Sequence, residues 1–141
     1  MANFIPDGVT RALVITAHPD DVDFGAGGTI AALTDNGVEV RYCICTDGDA
    51  GGFDDATDRS EIPGIRRAEQ VAAAAQCGVT DVTFLGYRDG YLEPTQDVQR
   101  DLVRVMRTFK PLSSPVARFA NLMRFGKSTL SMSPLTGSLT W

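Results

Sequence analysis

Apolar positions along the chain change period several times, and each change marks an element. Residues 12 to 17, ALVITA, form a continuous apolar run with β-branched members, which predicts a buried strand. FGAGG follows as a glycine-rich loop, and TIAALTDNG predicts a short helix that packs through Ile30, Ala32 and Leu33 and stops at Gly37. VEVRYCICT, residues 38 to 46, alternates: Val38, Val40, Tyr42 and Ile44 share one side, Cys43 and Cys45 the other. DGDAGGFDDATDRSE reads as a long acidic loop. IRRAEQVAAAAQCG predicts a helix ended by Gly78, with Ile65, Ala68, Val71, Ala72 and Ala75 on its apolar face. VTFL, residues 82 to 85, is a third strand, and GYRDGYLEP a loop. TQDVQRDLVRVMRTFKP predicts an amphipathic helix with Val98, Leu102, Val105, Met106 and Phe109 inward. Strands alternating with helices imply an α/β protein with a parallel sheet and right-handed crossovers.

The pattern stops near Pro111. Residues 112–141 contain no Asp and no Glu, although the chain has 18 acidic residues in all. No strand follows the third predicted helix. We read 1–111 as the folded part and 112–141 as an atypical tail, disordered or frameshifted. A poorly patterned helix over 116–125 is the bland alternative.

Composition bounds the class. The 141 residues are 43% hydrophobic and 22% charged, as in ordinary globular domains. A net charge of -5 argues against nucleic acid or an anionic membrane as main partner. The N-terminal stretch has neither signal-peptide form nor the length of a membrane span. Cys43, Cys45 and Cys77 lie in apolar surroundings, which suits buried free thiols and a cytoplasmic location.

The candidate chemistry sits at TAHPDD, residues 16–21, which holds the only histidine. It follows the first predicted strand, where open parallel sheets bind ligands. Pro19 biases His18 toward extended geometry. Imidazole beside carboxylate suits Zn²⁺ or a similar divalent ion, and a spare carboxylate suits a general base. The competing reading is a loop histidine with Asp residues capping the next helix. Asp47 and Asp49 after the second strand, and Asp89 after the third, bring more carboxylates to the same sheet edge. Arg66 and Glu69 form an i,i+3 pair on the second predicted helix.

AHPDD after a first strand, the GGT helix, TDGDAGG after a second strand, IRRAEQVAAAAQCGV and FLGYRDGYL together resemble the PIG-L / LmbE-like family of zinc-dependent N-deacetylases. The likeness runs from about Arg11 to Pro111. It implies a three-layer Rossmann-like parallel sheet with helices on both faces, the C-terminal part of the fold missing. It implies His18 and Asp21 as zinc ligands and Asp20 as general base. It implies Asp49, Arg66 and Asp89 as substrate contacts, and a small N-acetylated sugar conjugate as substrate. Zinc would activate water, Asp20 would accept its proton and return it to the departing amine, and Arg66 and Asp89 would orient sugar hydroxyls.

The family's second histidine motif, the source of a third zinc ligand, is not among these 141 residues. A frameshift or truncation near Pro111 accounts for that, for the lost strand and for the change in composition. Zinc binding and turnover are therefore expected to be impaired in this chain. Two readings compete: a catalytically inactive α/β remnant, whose exposed sheet edge offers a surface for oligomer formation, and a dinucleotide module built on FGAGGTI. The second departs from G-x-G-x-x-G because Ile30 stands where the third glycine belongs.

Overall fold

The computed structural model describes residues 8–51 and 56–111. The elements run β1 (Arg11–Thr16), α1 (Asp21–Gly25), α2 (Gly27–Asp35), β2 (Glu39–Thr46), α3 (Ile62–Gln76), β3 (Asp81–Tyr87) and α4 (Gln96–Phe109). The tail read as 112–141 lies outside the described residues.

The three strands pair in parallel in the order β1-β2-β3. Central β2 is buried on both faces, so its alternating pattern separates two cores rather than core from solvent. Val40, Tyr42 and Ile44 meet Val22, Ile30 and Ala74 from α1, α2 and α3. Cys43 and Cys45 face the other way and meet Val98 and Leu102 of α4. Helices thus cover both faces of the sheet, as the resemblance implied. Burial lifts the Cys43 thiol to about 12 and the Cys45 thiol to about 11. Both are inert core cysteines.

α4 follows its sequence pattern closely. Thr95 caps its N-terminus by accepting from the Val98 N–H at 3.3 Å. Val98, Leu102 and Phe109 are buried, and Val105 and Met106 pack beside them. At its end Lys110 turns left-handed and donates its backbone N–H to the Met106 carbonyl. Arg11 donates to the Phe109 carbonyl at 3.2 Å, which ties the end of α4 to the start of β1.

Two expectations need correction. The FGAGG loop is helical for the most part: α1 includes Phe24 and Gly25, and Gly27 and Gly28 lie inside α2. FGAGG therefore forms no open glycine loop to cradle a phosphate. In α3 the expected inward face is the outward one. Ile65 is 44% and Val71 50% exposed, and Ala68, Ala72 and Ala75 are exposed as well. The buried stripe is Ile62, Gln70 and Ala74, with Arg66 half-buried on the same line. The reason is local. This stripe faces the TAHPDD loop, and polar groups there bond to the loop instead of packing on apolar side chains.

Candidate active site

The loops after β1, β2 and β3 meet at the carboxyl edge of the sheet, and buried threonines fasten them. The Thr46 backbone N–H and hydroxyl both donate to the Ala17 carbonyl at 2.9 Å, joining the end of β2 to the loop after β1. The Thr16 hydroxyl donates to the His18 carbonyl at 3.3 Å. The β2–β3 register slips between Ile44 and Thr46, and Gly86, at φ +74°, lies in the bulge. The next turn of chain brings Asp89 to the site.

His18 lies between two carboxylates. Its Nε2 is 2.8 Å from Asp89 Oδ1, and its Nδ1 is 3.5 Å from Asp21 Oδ2. The same Asp21 oxygen accepts the His18 backbone N–H at 3.0 Å. The Asp21 contact and then the Asp89 charge raise the imidazole pKa above its ordinary value, against an opposing effect of burial. Burial alone would raise the Asp21 carboxyl, but its hydrogen bonds with the His18 side chain and backbone hold it below the usual range. Asp89 is the most enclosed of the three at 14% exposure, and its backbone N–H donates to Asp49 Oδ1 at 2.8 Å. Asp49 thereby orients the loop that carries Asp89.

Asp20 points elsewhere. It occupies the left-handed region at φ 72°, which is costly for a residue with a Cβ, on the order of 1 kcal/mol. It sits at the N-cap of α1 but makes no capping hydrogen bond with its side chain. That removes helix capping as the explanation for Asp20. Its Oδ2 accepts from Arg66 Nη2 at 2.9 Å, and the same guanidinium nitrogen donates to the Pro19 carbonyl at 3.3 Å. Arg66 also lies 3.8 Å from Glu69. Gly48 makes room for this arrangement. At φ +65° it favours glycine, and a Cβ there would stand 3.2 Å from both Arg66 Nε and Pro19 Cδ.

The six residues expected at the site are thus brought to one edge: His18, Asp21, Asp89 and Asp49 as one chain of contacts, Asp20 and Arg66 as an adjoining ion pair. Two contributors were not expected. Gln70 accepts the Asp20 backbone N–H and is 1% exposed. Arg67 makes a bidentate pair with Asp47 at 2.9 and 2.7 Å, fixing α3 to the loop after β2. The spacing Arg66-Gln70 on one helix face was the available signal for the first.

Whether this set suits zinc can be judged from donor separation. Two ligands on a tetrahedral zinc, at bond lengths near 2.1 Å, stand about 3.4 Å apart. The Nδ1–Oδ2 separation of 3.5 Å between His18 and Asp21 matches one such edge. Two corners therefore fit. The described residues contain no group of three or more His, Cys, Asp or Glu able to hold a metal, so they do not complete the site.

Comparison with known proteins agrees with the fold. The family model of GlcNAc-PI de-N-acetylase, PIG-L, matches residues 13–117, and the chain belongs to that family. A diacetylchitobiose deacetylase of Thermococcus kodakarensis is 37% identical over 103 residues, which cover 73% of this chain and 39% of that protein. The N,N'-diacetylchitobiose deacetylase of Pyrococcus horikoshii, solved with its inhibitor MPG, superposes with a TM-score of 0.70 at 40% identity. That match covers 72% of this chain and 38% of the other. GalB, the 4-carboxy-2-hydroxymuconate hydratase of Pseudomonas putida, has a TM-score of 0.66 at 27% identity, over 72% of this chain and 44% of its own. The chain spans about two fifths of the length of these relatives. Among the described residues no helix is long and apolar enough to cross a membrane.

Proposed function

We propose that residues 1–111 carry the amino-terminal half-site of an N-deacetylase, one that hydrolyses the N-acetyl amide of an N-acetylglucosamine-type substrate. The observation that carries this reading is the His18–Asp21 edge at 3.5 Å, with the Asp20 carboxylate on the same loop held by Arg66 rather than spent on helix capping. The names of the relatives support it: two that match at 37% and 40% identity are diacetylchitobiose deacetylases.

His18 and Asp21 would hold two corners of a Zn²⁺ site, and the bound ion would polarise the acetyl carbonyl and activate water. The rest falls to side chains of this chain. Asp20 accepts the proton of the attacking water and delivers it to the amide nitrogen as the C–N bond breaks, releasing acetate and the free amine. Arg66 aims the Asp20 carboxylate through Nη2 and offers Nη1 to substrate hydroxyls, while its Nε is buried. Asp89 and Asp49 line the opposite side as hydrogen-bond acceptors for the sugar. Positioning of this kind can supply several kcal/mol of barrier reduction, about 7–11 in well-oriented cases.

With one histidine in 141 residues, a second imidazole to serve as third ligand is not available among them. Zinc affinity and turnover of this polypeptide alone therefore stand below those of a three-ligand site. One observation favours the second reading, an inactive remnant: both imidazole nitrogens of His18 already face carboxylates.

The test is amine release from N,N'-diacetylchitobiose by the purified chain in excess zinc, beside Asp20→Asn. Slow release that disappears in the variant supports the deacetylase reading. Release equal in both, or none in either, supports the remnant.

A further inference from the structure

Asp20 combines three features: a left-handed backbone, a side chain that caps nothing, and a backbone N–H directed at α3. The partner of that N–H is the Gln70 side-chain oxygen, sealed at 1% exposure. The other end of the same amide, Nε2, lies 3.4 Å from both Asp23 oxygens, so Gln70 bridges the two ends of one helical turn, Asp20 and Asp23. Asp23 also donates its backbone N–H to the Asp20 carbonyl at 2.9 Å. Arg66, four residues before Gln70 and on the same face of α3, takes the Asp20 carboxylate and the Pro19 carbonyl. The partners of the Asp20 backbone N–H and of its carboxylate thus both come from α3.

We infer that Gln70 is a positioning residue: from α3 it clamps the backbone of Asp20 in its left-handed conformation, so that Arg66 and Gln70 together set where the Asp20 carboxylate stands. The role assigned to the carboxylate rests on the deacetylase reading. The clamp does not. It explains why a long polar side chain occupies a buried helix position where an apolar one would pack.

Two variants of the full chain test it. Gln70→Met keeps the side-chain length and removes the acceptor. Gln70→Glu combined with Asp23→Asn exchanges amide and carboxylate, so the acceptor for Asp20 and the bridge to residue 23 are both retained. Backbone hydrogen exchange at Asp20 is read by NMR, with the Ile30 and Ile44 amides as global controls. In the parent chain the Asp20 N–H is protected. In Gln70→Met it exchanges at least about 10-fold faster while the controls stay unchanged, and the double variant restores protection. Where turnover is measurable, Gln70→Met lowers kcat by about 10- to 100-fold with KM little changed, the signature of a misplaced group. An unprotected Asp20 N–H in the parent chain overturns the clamp. So does equal protection in a folded Gln70→Met. If Gln70→Met does not fold, loss of Asp20 protection in a folded double variant overturns it and retained protection supports it. If no variant and no parent shows turnover, the deacetylase reading fails and the exchange data alone decide the clamp.

Discussion

α3 and α4 are helices of similar length on opposite faces of one sheet, and they use opposite rules. α4 buries Val98, Leu102 and Phe109 and leaves its arginines to solvent. α3 buries Gln70, half-buries Arg66 and leaves Ile65 and Val71 exposed. α4 packs on the sheet to hold it together. α3 also turns Ile62 and Ala74 inward, but between them its inward stripe carries Arg66 and Gln70, because the TAHPDD loop presents a backbone N–H, a carbonyl and a carboxylate that need partners. A helix whose polar residues face inward is a pointer to a site, and the hydrophobic pattern alone reverses its orientation.

The comparison can be broken by equivalent truncations. Leu102→Ala, on the inner face of α4, is expected to lose about 3 kcal/mol of unfolding free energy, measured by urea titration. A loss under about 1 kcal/mol would mean that α4 is not a core helix. Thiol chemistry sharpens the same contrast between the faces. Cys43 and Cys45 under α4 have pKa values of about 12 and 11, and Cys77 at the end of α3 is only partly buried. At pH 8 the thiolate fraction of the first two is about 10⁻³ or less, so native protein should show one fast-reacting thiol toward a disulfide reagent. Three fast thiols would contradict the packing of β2 beneath α4.

Gly48→Ala is expected to cost about 1–2 kcal/mol, since it adds a side chain at φ +65° and crowds Arg66 and Pro19. The loss should be accompanied by faster proteolysis of the loop after β1. Equal stability would mean that Arg66 does not sit under this turn. The smallest effect belongs to the exposed face of α3: Val71→Ser should change stability by about 0.5 kcal/mol or less. A large loss there would restore the face that the hydrophobic pattern favours.

The sheet, its order of elements and the split of β2 into two faces were legible because alternation and burial coincide at Val40, Tyr42 and Ile44 against Cys43 and Cys45. α4 was legible because it has one apolar stripe at helical spacing. α1 was not: five residues with glycine at the end carry too little periodicity to separate from a loop. The site was legible as a set, since carboxylates after successive parallel strands must converge at one edge. Its internal pairing was not. Nothing in the chain order says that Arg66 meets Asp20, that Asp89 meets His18, or that Gln70 reaches across to the backbone. Those contacts depend on the angle at which α3 crosses the loop.

His18 and Asp21 are proposed as two corners of a zinc site within this chain. Zinc uptake by the purified 141-residue protein, measured by competition with a chromogenic chelator and repeated with His18→Ala, tests it most directly. The account predicts one zinc per chain from excess metal, lost on dialysis against a weak chelator and absent in His18→Ala. Zinc binding that is unchanged by His18→Ala, or no uptake at any accessible concentration, would contradict it.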